Sequence, residues 1–156
     1  MTDKLKANIL KIKIIQKQKA LSITNLNEYN CNEMLDKIAA KLYSGFDIII
    51  FDTKYSATDA EIIDTAKKIN SLCAEFNATF LIKGRADIAY TTEADGLILD
   101  KNDIPISAAH EITGHNSLTG FITEKEYDAD IIDFIIKNNS LICKTDNKVI
   151  KITELE

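Results

Sequence analysis

Charged side chains gather where apolar runs stop. Asp52-Thr53-Lys54 follows the run at residues 46–51 (FDIIIF). Lys83-Gly84-Arg85 follows residues 80–82, and Asp100 to Asp103 follow residues 97–99. Side chains of these types, delivered into loops, do electrostatic chemistry: they hold, orient or neutralise charged groups. Nucleophilic, thiolate and nucleotide-fingerprint chemistry is not indicated. Cys31, Cys73 and Cys143 are odd in number, far apart and without a CxxC spacing. That disfavours a disulfide framework or zinc site and suits small buried hydrophobes in a reducing cytoplasm. His110 and His115 have no identifiable serine or cysteine partner, so neither is assigned a catalytic role. GxGxxG and P-loop motifs are absent.

The elements that must position these residues follow from periodicity. Residues 1–18 are lysine-rich and partly alternating. They read as an amphipathic strand or a loose helix, either a basic arm for an anionic partner or a solvated edge strand. Residues 20–24 (ALSIT) are a short strand, followed by a polar loop at 25–30. Asn32 is placed to cap a helix over 33–43, with Met34, Leu35, Ile38, Ala39 and Leu42 on one stripe and Gly45 at its end. The nearly continuous β-branched run at 46–51 looks like a strand buried on both faces of a parallel sheet.

Ser56 and Thr58 open the next helix, with Thr58-x-x-Glu61 as a capping box. A βαβ unit occupies residues 80–105, with its helix at 85–93, a turn at Asp95-Gly96 and a strand at 97–99. A helix over 106–112 ends at Gly114. Strands are expected at 117–122 and 130–136, with a truncated helical turn at Thr123 and Glu124. Two short runs, 141–144 and 149–153, flank Asp146-Asn147 as a hairpin. Repeated βα units mean parallel strands and right-handed crossovers, and both a doubly wound sheet and a (β/α)8 barrel satisfy that. In either, function lies at the carboxyl ends of the strands. The positions to inspect are therefore Asn25, Asp52, Lys54, Lys83, Arg85, Asp100, Asp103, Ile122 and Thr123.

The chain has 156 residues, enough for one domain with a sizeable core. Residues 1–18 form an arm or strand and residues 19–156 the domain. The net charge of −5 argues against a general nucleic-acid binder. No apolar run approaches the roughly 20 residues that span a bilayer, and no signal-peptide cleavage pattern opens the chain. The expected location is the cytoplasm.

The stretch LIKGRADIAYTTEADGLILDKNDIP resembles the central segment of thiamine phosphate synthase and its TenI-like relatives. Arg85, Asp87, Ala89, Ala94-Asp95-Gly96, Leu99, Asp103 and Pro105 follow the family's Asn-Asp-Arg-x-Asp and Ala-Asp-Gly-Val-His-Leu-Gly-Gln-x-Asp runs without gaps. ALSITN and FDIIIFDTK are similar to its first two strands, and the likeness covers roughly residues 19–136. It implies a (β/α)8 barrel and a reaction joining a pyrimidine methyl diphosphate to a thiazole phosphate. Mg2+ and cationic side chains would then stabilise the departing diphosphate.

Residue by residue, the likeness carries over Lys54, Arg85 and Asp103, the last as a metal ligand. It places Ile50, Asp52, Lys83, Gly84, Ile98, Asp100, Lys101 and Ile122 where the family has Gln, Arg, Asn, Asp, His, Gly, Gln and Ser. The resulting ligand-binding set is Lys54, Lys83, Arg85 and Lys101, facing a phosphorylated small molecule. Asp103 is the metal position and no residue is assigned as catalytic. The alternatives are that Lys54 is a solvated loop lysine, that Arg85 and Asp87 form a local ion pair, and that Asp103 is a helix-entry residue. The family's later Thr-x-Thr-Lys segment and its glycine-rich phosphate loops are not expected in this chain.

A (β/α)8 barrel usually takes about 250 residues, so this length leaves room for about six βα steps and a hairpin. The expectation is a partial or compacted barrel. Its edges would be closed by the N-terminal strand and the hairpin at 142–152, or by a second subunit as a homodimer. Three functions follow: a family member with a degraded site, a divergent active synthase, or a non-enzymatic scaffold.

Overall fold

Short, strongly β-branched strands build the wall of the molecule. The computed structural model describes residues 3–24, 30–114, 116–124 and 131–155. Asn25, His115 and residue 130 lie outside them; the strand expected at 130–136 begins only at Phe134, with residues 131–133 in a turn and loop before it. The strands are β1 (Ala20–Ile23), β2 (Ile48–Asp52), β3 (Thr79–Lys83), β4 (Gly96–Leu99), β5 (Leu118–Ile122), β6 (Phe134–Lys137), β7 (Ser140–Cys143) and β8 (Val149–Glu154). They close into a barrel in sequence order. Pairing is parallel from β1 through β6, antiparallel on both sides of β7, and parallel again where β8 meets β1.

The compacted barrel is thus complete within one chain, and the expected hairpin closes it. A two-residue turn between β6 and β7 and the short loop at 144–148 between β7 and β8 replace crossover helices here. Asn138 and Asn139 join β6 to β7 with φ of 51° and 58°. Successive left-handed residues give the turn whose twist suits a hairpin, and asparagine tolerates that region.

Alternation along each strand makes two apolar layers. Ala20, Ile48, Ile50, Leu81, Ile98, Leu118, Phe134, Leu141, Cys143, Ile150 and Ile152 fill the barrel. Leu21, Ile23, Ile49, Phe51, Phe80, Ile82, Leu97 and Leu99 face the surrounding helices. Those helices are α2 (Cys31–Tyr43), α3 (Asp59–Glu75), α4 (Ala86–Thr91) and α5 (Ile106–Thr113). Asn30, not Asn32, caps α2: its side chain accepts the Glu33 amide at 2.8 Å from an extended backbone. Thr58 caps α3 by accepting the Glu61 amide at 3.2 Å, the threonine half of the expected capping box. No helix among the described residues is long and apolar enough to cross a membrane.

The N-terminal segment is a helix, α1 (Asp3–Ile15), rather than a strand or arm. Its Leu10 and Ile14 join the layer inside the barrel, so α1 covers the amino-terminal end of the strands. Three lysines of the N-terminal segment find partners within the chain. Lys11 lies 3.4 Å from Asp133, Lys13 donates to Asn77 Oδ1 at 3.0 Å, and Lys17, just past the helix, donates to the Asn77 carbonyl at 2.6 Å. Burial pulls the Lys17 ammonium below its usual range, with Lys13 adding to the effect against Asp47 and Asp95.

A repeated device ties the same end together. Asp47, Asp95 and Asp133, at the starts of β2, β4 and β6, accept backbone amides from the preceding strand region. Asp47 takes Gln18 and Lys19, Asp95 takes Phe80 at 2.8 Å, and Asp133 takes Thr119 at 2.8 Å. Asp95 is therefore a strand staple as well as part of the turn expected at Asp95-Gly96.

Packing demands glycine at Gly96, where a Cβ would meet Leu81 and Leu118, and most severely at Gly120. A Cβ at Gly120 would lie 2.1 Å from Phe134 Cε2, because the phenyl ring fills the barrel over that residue. Overpacking of this kind costs about 1–3 kcal/mol. Gly120→Ala should lower stability by that amount in urea unfolding, and an unchanged midpoint would show that Phe134 is not wedged there.

Candidate functional site

At the carboxyl end of the barrel, strand register brings opposite charges together. Asp52 and Lys83 end β2 and β3 as paired neighbours. By alternation both point inward, above Ile50 and Leu81. Lys83 Nζ lies 3.3 Å from Asp52 Oδ2, an opposite-charge pair across neighbouring strands. Beneath them Thr53 is buried, and its hydroxyl donates to the Lys83 carbonyl at 2.7 Å. The Lys54 amide donates to Asp52 Oδ1 at 2.9 Å, which turns the chain and sends the Lys54 side chain across the mouth.

Gly84 makes room for that crossing. Its φ is +102°, and a Cβ there would meet Thr53 Oγ1 at 3.2 Å and Lys54 Cε at 3.3 Å. Only glycine adopts such a backbone without strain. The position at which the resemblance calls for a metal-ligating aspartate is therefore committed to glycine by its conformation.

Lys54 ends on the loop after β4. Its Nζ lies 3.1 Å from Asp103 Oδ1 and 3.5 Å from Asp100 Oδ2. The loop is self-tied: Asp103 Oδ2 accepts the Asp100 amide at 2.9 Å and Asp100 Oδ1 accepts the Asn102 amide at 2.7 Å. The hydrogen bond to Asp103 raises the Lys54 pKa above the usual lysine value. Burial pushes the Asp100 carboxyl up, but the Asn102 amide and Lys54 outweigh it and hold the group below the usual range.

The remaining candidates do not join this cluster. Arg85 turns outward between the starts of α3 and α4. It donates to Asp87 through Nε at 2.9 Å and Nη2 at 2.6 Å, and to Asp59 through Nη1 at 3.2 Å. Those two carboxylates raise the Arg85 pKa, and Arg85 in turn lowers that of Asp87. Lys101 is exposed and lines a cavity of about 430 Å³ with Asp100, Asp103, Ile106 and Phe121. Lys54, Lys83 and Arg85 are not among its walls. Ile98 and Ile122 belong to the apolar packing inside the barrel.

The profile of the thiamine monophosphate synthase (TMP-TENI) family matches residues 21–133, well over half of the chain. The chain belongs to this family. A thiamine-phosphate synthase of Prochlorococcus marinus (strain MIT 9313) is 32% identical over 104 residues, covering 67% of this chain and 29% of that protein. The Clostridium perfringens (strain 13 / Type A) thiamine-phosphate synthase is 32% identical over 98 residues, covering 63% of this chain and 47% of that protein. The chain thus spans less than half the length of these curated relatives. Among solved structures, a thiamine phosphate pyrophosphorylase from Pyrococcus furiosus superposes with a TM-score of 0.64 at 25% identity, over 85% of this chain and 65% of that one. The fold is therefore that of the family, with a closed, mostly parallel barrel.

The Mg2+ that membership implies meets a poor donor set here. Both oxygens of Asp103 and both of Asp100 are already engaged by backbone amides or by the Lys54 ammonium. Mg2+ wants free oxygens at octahedral geometry, and a lysine holds the position such an ion would take. Among the described residues no group of three or more His, Cys, Asp or Glu is arranged to hold a metal ion. As arranged, these residues do not fit the ion.

Sequence reasoning did not anticipate the part played by Thr53, or by Glu154, which pairs in register with Ser22 at the same end of the barrel. Thr53 carries no signal beyond its position between two charged residues, and Glu154 becomes a mouth residue only because β8 closes on β1.

The ion-pair cluster sets a pH expectation. The Asp100 pKa is depressed, so its contribution is present above the unfolded carboxylate value near ~3.9 and is lost as pH falls through the lower folded value. The Lys54 pKa is raised, so its contribution is full below about 10.4 and is lost only as pH rises through the higher folded value. Lys54→Met should therefore cost about 0.2–1 kcal/mol at pH 7, because Lys54 is half exposed and screened. The difference should shrink toward zero in strong acid. Thermal melts of both proteins from pH 7 downward check this, and a gap that persists in acid would mean that Lys54 acts through packing.

Proposed function

We propose that this chain is a family member that has lost the coupling reaction and whose mouth retains only weak capacity for a phosphate-bearing small molecule on Lys54 and Lys83. One observation carries this reading: each of those cations already has a carboxylate from its own chain, Lys83 with Asp52 and Lys54 with Asp103 and Asp100. A reaction that expels diphosphate relies on cations and polar donors aimed at the departing charge. Here three carboxylates stand against two lysines, so an incoming phosphate competes with fixed anions and meets net repulsion.

The substitutions point the same way. Asp52, Gly84 and Ile98 occupy places where the resemblance calls for Arg, a metal-ligating Asp and His. Removing one donor of this kind typically costs about 10²–10³-fold in kcat, and several together leave little turnover. Arg85, although retained, is held by Asp87 and Asp59 outside the cluster. What the chain's own residues can still do is present Lys54 and Lys83 to a small anion once the Asp100–Asp103 loop yields.

The coupling assay is direct. The chain should form no thiamine phosphate above background from the pyrimidine diphosphate, the thiazole phosphate and Mg2+, beside the Clostridium perfringens relative as positive control. Robust turnover would refute the proposal and favour a divergent active synthase. Binding of inorganic phosphate, followed by amide shifts at residues 52–54 and 83–85, should be weak. It should strengthen about 3–10-fold in Asp103→Asn, which removes one of the charges competing for Lys54. No gain in that variant would show that the carboxylate is not what keeps phosphate out.

A further inference from the structure

We propose that the cavity at the amino-terminal end of the barrel, between α1 and the last turns of α4 and α5, binds a small organic cation carrying primary ammonium groups. It lies at the opposite end of the strands from the mouth and is independent of the chemistry proposed there.

The helices of a parallel barrel run against its strands, so α4 and α5 both end here. The cavity between them holds about 790 Å³, within the roughly 300–1,000 Å³ of small-molecule sites. Lys6, Tyr90, Glu93, Glu111, Asn116 and Ser117 are among its walls.

Two of these side chains stand where local preference disfavours them. Glu93 follows α4 with φ of 55°, a left-handed conformation that glycine or asparagine usually supplies after a helix. The turn it makes is closed by its own amide on the Tyr90 carbonyl at 3.2 Å and by the Ala94 amide on the Ala89 carbonyl at 3.0 Å. Glu111 sits in the last turn of α5, where the helix dipole favours a cation. Neither glutamate has an ion-pair partner among the described residues. Glycine at the first position and lysine at the second would each suit the helix end better. Two such departures converging on one cavity mark function rather than folding.

Ser117 supplies an independent observation. It lies on the cavity wall just before β5. Its hydroxyl oxygen is fully buried and has no hydrogen-bond partner among the described residues. Buried polar groups are almost always paired, so a bound molecule that completes this one accounts for it.

The chemistry of the walls selects the occupant. Acceptors predominate: two carboxylates, the Ser117 hydroxyl, the Asn116 side chain and the negative ends of two helices face one lysine. Lys6 is itself partly compensated, being one of three lysines whose charge pulls on the Asp95 carboxyl. A ligand must therefore bring positive charge and several donors, and an ammonium brings three N–H groups. The exposed Tyr90 ring offers a face to the same charge. A metal ion is the poorer occupant, because no group of three or more His, Cys, Asp or Glu among the described residues is arranged to hold one. The volume admits a short chain with an ammonium at each end, one for each glutamate.

Titration of the full chain with 1,4-diaminobutane, followed by backbone amide shifts, tests this. The shifts should saturate with a Kd below about 1 mM and be confined to residues 89–94, 111–114, 116 and 117. Glu111→Gln should weaken binding about tenfold, as expected for loss of a charge-assisted hydrogen bond. Glu93→Gly separates binding from structure. It should weaken binding about tenfold while raising the melting temperature by about 2–4 °C, since glycine adopts the left-handed conformation freely. Succinate and Mg2+ at the same concentrations should leave these amides unmoved. Unsaturable shifts spread over the acidic surface overturn the proposal, as does a matching response to Mg2+ alone. So does a Glu93→Gly protein that binds as well as the parent chain, or one that melts lower, which would make Glu93 a structural residue.

Discussion

A parallel barrel has to bring its last strand back to its first, and every other feature of this chain depends on how that is done. β8 runs parallel to β1, with Ala20 opposite Ile152 and Ser22 opposite Glu154. To arrive in that direction after β6, the chain inserts one strand of opposite sense, β7, between a two-residue turn and a short loop. Closure removes the unpaired N–H and C=O groups that an open sheet would expose. It also encloses an interior layer in which Phe134 fills the space that Gly120 leaves. Two crossover helices are thereby replaced by a few turn residues.

The two ends of the barrel use the same residue type for opposite purposes. At the amino-terminal end Asp47, Asp95 and Asp133 accept backbone amides, so their charge is spent on holding strand starts in place. Burial pushes the Asp95 carboxyl up, while the Phe80 amide and the lysines of the N-terminal region pull it down. At the carboxyl end Asp52, Asp100 and Asp103 accept loop amides and each also holds a lysine. The first arrangement is scaffold. The second occupies the lysines at the mouth, and a tied loop and a glycine of positive φ fix it in place.

Family membership and the state of the mouth are therefore separate matters. The match over residues 21–133 and the superposition on the Pyrococcus furiosus protein establish the family and the barrel. On the proposed reading, Asp52, Gly84 and Asp100 depart from the motifs of the resemblance, and they lie at or just past strand ends. A barrel tolerates this division because its stability resides in the two apolar layers, while the loops at the strand ends carry the chemistry.

From residue 20 onward the order of strands and helices, the C-terminal hairpin, the likeness to the family and the gathering of charge at strand ends are all written in the chain. These are legible because alternation, helical spacing, capping residues and turn residues are local signals. The sequence left the N-terminal segment open between strand and helix, because α1 is apolar on two sides and so lacks a clean period. It placed the α2 cap at Asn32 because both asparagines suit that role, and only backbone conformation separates them. The tertiary structure alone decided that Arg85 turns away from the mouth, that Lys54 and Lys83 are each paired, and that Gly84 is required where it stands. Ion pairing between residues tens of positions apart depends on strand register and on side-chain direction at the rim, and neither leaves a periodic trace in the chain.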